Sequence, residues 1–155
     1  MSGGKATVLF VGGGSGGHIY PNAAVVERLV EMGVDVVPHF VVSERAVDAT
    51  VCAGLGVGYT AVPAAPPSVR PGGAFRFWKG WRGTAGVVGR LMAERDVRAV
   101  VATGGFVSAA VVGALSHRRR RHQGGSGEGP AVALVRLDAV AGRANRWSAR
   151  KATHV

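Results

Sequence analysis

"VLFVGGGSGGHIYP", residues 8–21, is the stretch on which the fold turns. A short apolar run ends in five glycines, and a histidine and a proline follow at once. Ala6 to Val11 reads as a buried strand, β-branched and stopped by glycine. Pro21 to Met32 reads as a helix, because Ala24, Val25, Leu29 and Met32 recur at helical spacing and Pro21 suits a first-turn position. Gly33 ends it. Between strand and helix, glycines let backbone N–H groups approach an anion, and the helix N-terminus adds a partial positive charge.

The same alternation continues outward from this stretch. Val34 to Val42 is predicted as a second strand, Glu44 to Ala53 as a helix stopped by Gly54, and Tyr59 to Val62 as a third strand. Pro63 to Gly73, with four prolines and two glycines, is expected to be a loop. Phe75 to Arg95 reads as a long helix and Val97 to Ala102 as the next strand. Val107 to Leu115 is then helical, Ser116 to Gly129 a polar loop, Ala131 to Leu137 a strand, and Ala141 to Lys151 a helix. Thr153 to Val155 looks like the start of one more strand. No internal repeat is present. Short buried strands alternating with helices imply an α/β domain with a parallel sheet covered on both faces. Right-handed crossovers make it a Rossmann-like, doubly wound fold with ligands at the carboxyl ends of the strands.

The 155 residues suffice for one domain with a core, and 47% hydrophobic content fits a folded chain. The single Cys52 rules out a disulfide framework and fits a reducing cytoplasm. A formal net charge of +10 favours an anionic partner. The N-terminus lacks the long apolar region of a signal peptide, and no run of about 18 apolar residues is present, so any membrane contact is expected to be peripheral. The five histidines show no metal-ligand spacing, and neither a metal nor a cofactor is expected.

Gly12, Gly14 and Gly17 match the dinucleotide fingerprint G-x-G-x-x-G. An NAD site also needs an acidic residue at the end of the second strand. Asp35 falls too early for this and Glu44 too late. The phosphate-cradling reading survives without it, and Ser15 offers a hydroxyl. His18 at the mouth of the loop reads as a general base, as a phosphate ligand, or as a helix-start histidine satisfied by backbone. "VVATGGFVS", residues 100–108, repeats the logic of apolar strand, paired glycines and helix. Two such loops on neighbouring strands suit a pyrophosphate better than a single phosphate.

"GGGSGGHIYP" resembles the first glycine loop of MurG-type glycosyltransferases, "TGGFVS" their second, and "DAVAGRANRWSARKATHV" the segment that closes their N-terminal domain. The resemblance runs through essentially the whole chain. It implies the N-terminal half of a two-domain GT-B enzyme that transfers GlcNAc from UDP-GlcNAc to an undecaprenyl-pyrophosphate-linked muramoyl-pentapeptide in peptidoglycan synthesis. By resemblance, Gly14, Ser15, Gly16 and Gly17 contact the sugar donor or a pyrophosphate, and His18 is the candidate base for the acceptor hydroxyl. Gly104, Gly105, Phe106 and Ser108 line the second loop, and Asn145 lies in the closing helix. The family's His-Glu-Gln-Asn run is replaced here by Val135, Arg136, Leu137 and Asp138, which puts a carboxylate where a carboxamide is usual. The resemblance also implies that residues 1–155 form the acceptor-binding domain without the donor-binding half, which leaves two expectations: a second polypeptide supplies that half, or the chain is a truncated product with little activity. The isolated chain is then expected to show no transfer.

"FRFWKGWRG", residues 75–83, sets four aromatics among basic residues. On a helix, Phe75, Trp78 and Trp81 share a stripe that Phe77 joins, while Arg76, Lys79 and Arg82 form an adjacent one. This pattern reads as contact with an anionic membrane surface, as in MurG-like enzymes, which dock on the inner face of the plasma membrane. The alternative is packing on the sheet. "HRRRRH", residues 117–122, reads as a solvated basic loop, and nucleic acid is not an expected partner because no aromatics interleave with it. Two other functions stay open: a non-catalytic module for a pyrophosphoryl lipid or a protein partner, and an NAD-type dinucleotide binder.

Overall fold

The computed structural model describes residues 5–14, 17–68, 70–121, 129–135 and 143–154. Five strands, β1 (Ala6–Val11), β2 (Val36–Ser43), β3 (Tyr59–Val62), β4 (Val97–Ala102) and β5 (Ala131–Leu134), pair in the order β3-β2-β1-β4-β5. Every pairing is parallel. The helices are α1 (Ile19–Glu31), α2 (Ala46–Gly54), α3 (Pro71–Glu94), α4 (Gly105–Arg121) and α5 (Arg143–Ala149). The chain winds from β1 to β3 in one direction, and α3 then carries it back across the sheet to the other side of β1. The order therefore reverses between β1 and β4, the place where doubly wound sheets open a crevice at their carboxyl edge.

The sheet is covered on both faces, as parallel strands require. On one face Val8, Phe10, Phe40, Val42 and Cys52 pack with Ile19 and with Ala23, Val26 and Leu29 of α1. On the other, Leu9, Val11, Val41 and Val100 pack with Val88 and Leu91 of α3 and with Val107, Val111 and Leu115 of α4. The alternation along β1 sends successive side chains to opposite cores. Phe10 and Phe40 lie side by side on neighbouring strands, their ring centroids 5.5 Å apart.

Element existence and order follow the sequence reading, and the differences lie at the ends. α1 starts at Ile19 rather than Pro21, which puts His18 at its N-cap and Pro21 within the first turn. α3 starts at Pro71, so the last residues of the expected loop are helical. Proline at the first helical position has its φ already set and needs no N–H partner there, which outweighs the two glycines after it. α4 continues from the expected Leu115 to Arg121 and takes in all four arginines of the run. Arginine is a good helix former, and cations near a helix C-terminus meet the negative end of its dipole. β5 closes at Leu134. Beyond α5, His154 bridges in parallel to Ala133, and Thr153 and His154 both donate to the Val132 carbonyl, so a further strand position opens beside β5. Among the described residues no helix is long and apolar enough to cross a membrane.

Candidate functional site

The two glycine loops meet at the carboxyl ends of β1 and β4. Thr103, directly after β4, is fully buried and ties them together. Its N–H donates to the Val11 carbonyl at 3.0 Å, and its hydroxyl lies 2.9 Å from the His18 carbonyl and 3.2 Å from that of Val11. Ser108, also buried, donates to the Val11 carbonyl at 3.1 Å and accepts the Gly104 N–H at 3.2 Å. The first turns of α1 and α4 are thereby held against the same strand end, and the first N–H groups of a helix have no partner within it. Neither helix carries an acidic residue in its first turn, so nothing there opposes an anion.

His18 is oriented from one side. Its Nδ1 lies 3.1 Å from the Thr103 carbonyl oxygen. A carbonyl only accepts, so Nδ1 donates to it, and Nε2 is the ring nitrogen that this bond does not use. The ring lies over Gly105, where a Cβ would stand 3.4 Å from Nε2 and 3.5 Å from Cδ2. Gly105 has φ +80°, which a side chain at that position tolerates poorly. Gly14 is held more tightly. Its φ is +102°, and a Cβ there would stand 2.7 Å from the Phe106 ring.

A second set of contacts comes from the end of β2 and the start of α2. Asp48, fully buried, accepts the Gly14 N–H at 2.7 Å, the Ser43 N–H at 3.1 Å and the Ser43 hydroxyl at 2.5 Å, all through Oδ2. Arg45 donates from Nη1 to the Gly14 carbonyl at 2.5 Å. Sequence reasoning missed this group. The search for an acidic partner of the glycine loop weighed Asp35 and Glu44, whereas the residue that meets the loop is Asp48, inside a helix. Its Oδ2 is already engaged by three donors among the described residues and the side chain is fully buried, so it does not offer the ribose contact of an NAD site.

The sequence-predicted residues therefore divide. His18, Gly14, Gly104, Gly105, Phe106 and Ser108 come together. The N–H groups of Gly14 and Gly104 are occupied by Asp48 and Ser108, so these two glycines shape the loops rather than offer donors. Gly17 lies in the exposed turn before His18. Ser15, Gly16, Arg136 and Asp138 lie outside the described residues. Asn145 belongs to α5, and its side chain also lies outside them.

The aromatic stripe of α3 splits as well. Phe75 and Trp78 are 64% and 56% exposed, with the Arg82 guanidinium 4.8 Å from the Trp78 ring centre. Arg76 and Lys79 are exposed beside them. Phe77 and Trp81 turn inward. Trp81 sits 5.9 Å from Phe77 and edge-on to Trp147 of α5 at 5.6 Å. A cavity of about 640 Å³ opens between α3, α4 and α5, lined by Trp81, Trp147, Arg82, Arg118 and Lys151 among others. Elsewhere, burial first and the nearby Asp48 second raise the Cys52 thiol pKa, so this cysteine is a protonated core residue and not a nucleophile. No cluster among the described residues suits a metal ion.

Comparison with known proteins places this arrangement. Residues 8–123 match the glycosyltransferase family 28 N-terminal domain, and the chain belongs to that family. The "UDP-N-acetylglucosamine--N-acetylmuramyl-(pentapeptide) pyrophosphoryl-undecaprenol N-acetylglucosamine transferase" of Clavibacter sepedonicus is 30% identical over 148 residues, covering 95% of this chain and 38% of the relative. The enzyme of the same name from Acidothermus cellulolyticus is 30% identical over 149 residues, covering 96% and 38%. That of Prosthecochloris aestuarii is 45% identical over 49 residues, covering 32% and 13%. The chain thus spans less than half the length of the curated relatives it matches. Among solved structures, Acinetobacter baumannii MurG superposes with a TM-score of 0.69 at 20% identity, over 96% of this chain and 40% of that one. Phytolacca americana UGT2, complexed with UDP-2fluoro-glucose and pterostilbene, gives 0.56 at 15% identity, over 88% and 31%. These two likenesses establish the fold, the Rossmann-like half shared with GT-B glycosyltransferases.

Proposed function

We propose that this family 28 domain is the acceptor-binding half of a hexosyltransferase that moves GlcNAc from UDP-GlcNAc to a lipid-pyrophosphate-linked muramoyl-pentapeptide. The observation that carries the reading is the His18 pair: Nδ1–H held by the Thr103 carbonyl at 3.1 Å, with Nε2, unused by that bond, at the junction of two glycine loops. In the complete reaction Nε2 takes the proton of the acceptor hydroxyl as its oxygen attacks the anomeric carbon, and UDP departs with the electron pair of the broken bond. The converging starts of α1 and α4 supply the positive field for the acceptor's pyrophosphate.

The donor sugar is bound chiefly by a second domain, on this reading, within the same polypeptide or another. The exposed Phe75 and Trp78, with Arg76, Lys79 and Arg82, hold the domain against the anionic inner face of the plasma membrane, where the lipid-linked acceptor lies. Trp81 and Phe77 support that helix from beneath instead of touching lipid.

A fluorescent analogue of the lipid-linked acceptor should bind the 155-residue chain, and NAD should neither bind nor raise its melting temperature. Stabilisation by NAD without acceptor binding would reverse the assignment. His18→Gln should leave acceptor affinity within about twofold, and should lower transfer by about 10² to 10⁴ when a family donor-binding domain is supplied, the range expected for a lost general base. Equal turnover by both proteins would remove His18 from the chemistry.

A further inference from the structure

Gly14 is gripped at both of its polar groups by side chains of opposite charge from one short segment. We propose that Asp48 and Arg45 are positioning residues that set the shape of the first glycine loop for its anionic ligand. The proposal rests on the reading of that loop as part of a pyrophosphate cradle.

Asp48 lies 34 residues beyond Gly14 in sequence and comes from α2, yet its carboxylate is fully buried. A carboxylate is seldom placed there unless its hydrogen bonds are supplied. Here Oδ2 takes the Gly14 N–H and both donors of Ser43. These hydrogen bonds to the charged form fix the peptide entering Gly14. Arg45 fixes the peptide leaving it, through the Gly14 carbonyl. The two bonds together fix both peptide planes of Gly14 at φ +102°. Gly13 completes the device, because a Cβ at that position would stand 2.9 Å from the Ser43 nitrogen and would overlap the Asp48 carboxylate. Phe106 of the second loop closes over Gly14 from the far side. Gly13 and Gly14 are thus held between α2 and α4 before any ligand arrives, which lowers the ordering cost of binding.

Asp48 itself does not meet the ligand, since its charge is enclosed by the protein's own donors. That separates its role from a binding role. A neutral amide placing its carbonyl oxygen where Oδ2 lies keeps the acceptor and loses only the charge, whereas alanine loses the acceptor altogether.

The test uses the ligand-free chain and the chain titrated with geranyl pyrophosphate. In Asp48→Ala, amide exchange at Gly14 should accelerate by about tenfold or more, the effect of removing one buried hydrogen bond. The amides of β4 should hold their protection. Affinity for geranyl pyrophosphate should fall about tenfold in Asp48→Ala and in Arg45→Ala, and recover most of its value in Asp48→Asn and Arg45→Lys. Arg45 is exposed, so Arg45→Ala should melt with the wild type and carries the test if Asp48→Ala does not fold. Unchanged Gly14 exchange in Asp48→Ala, or unchanged affinity in Arg45→Ala, overturns the proposal. A wild-type chain that ignores geranyl pyrophosphate while Asp48 still controls Gly14 exchange overturns the identity of the ligand and leaves the clamp standing.

Discussion

The glycine-loop edge and the α3/α4/α5 face are built on opposite principles. At the edge, few side chains matter and the backbone is fixed by buried polar bonds: Thr103, Ser108 and Asp48 together accept or donate across three strand ends. On the helical face the contacts are indole on indole and cation on indole, and the charged partners are at the surface. Backbone fixed by buried hydrogen bonds has one arrangement, because every alternative leaves a polar group unpaired. Large side chains can repack, and they set a surface rather than a point.

Glycine substitutions should expose this difference most strongly. At Gly14 a methyl group meets both the positive φ and the Phe106 ring, so Gly14→Ala should cost about 3 kcal/mol, measured by denaturant unfolding. At Gly113, inside α4, the nearest atoms a Cβ would meet are outer ring carbons of Trp81 and Trp147, side chains and not backbone. Gly113→Ala should cost about 1 kcal/mol, the overpacking being offset in part by alanine's helix propensity, and Trp81→Phe should relieve it. Equal costs at the two sites would erase the contrast.

A smaller effect concerns pH at the sheet edge. His39 is buried on β2, its Nε2 2.7 Å from the Thr60 hydroxyl of the edge strand β3, and burial first, then Arg95, lowers its pKa below 6.5. The unfolded chain binds that proton more readily than the folded one, so the stability is intact above 6.5 and declines as pH falls from 6.5 towards the folded value. In His39→Gln the contribution of this group to the pH dependence should vanish in melts recorded across that range. A decline of the same size in the variant would assign it to other groups.

The smallest effect on stability belongs to Trp78. It is mostly exposed, so Trp78→Ala should change unfolding free energy by no more than about 0.5 kcal/mol. Release of the chain from anionic vesicles should nonetheless be measurable in a sedimentation assay. Trp81→Ala should do the reverse, destabilising the α3–α5 contact, and vesicle binding lost only there would move the docking surface inward.

Much of this was legible in residues 8–21 and 100–108. Apolar runs stopped by glycine and followed by helical periodicity require βα units, and a series of them admits only a parallel, two-faced sheet. His18 and the glycine pairs were legible for the same reason, because local chain geometry places them at strand ends. Asp48 was not, since within "SERAVDATVC" it looks like an ordinary polar residue in the first turn of a helix. Trp78 and Trp81 were indistinguishable too. Their spacing puts them on one stripe, and only the position of α5 decides that Trp81 is covered and Trp78 is not.

The sequence by itself determined the order of elements, the parallel sheet and the two loops, because these depend on local periodicity and on where glycine permits the chain to turn. Tertiary structure alone decided which N–H groups of those loops the protein itself occupies, which nitrogen of His18 is tied to a carbonyl, and which aromatics face outward. Each of these depends on a partner distant in sequence, Asp48 to Gly14, Thr103 to His18, Trp147 to Trp81, and such a pairing leaves no periodic trace in the chain.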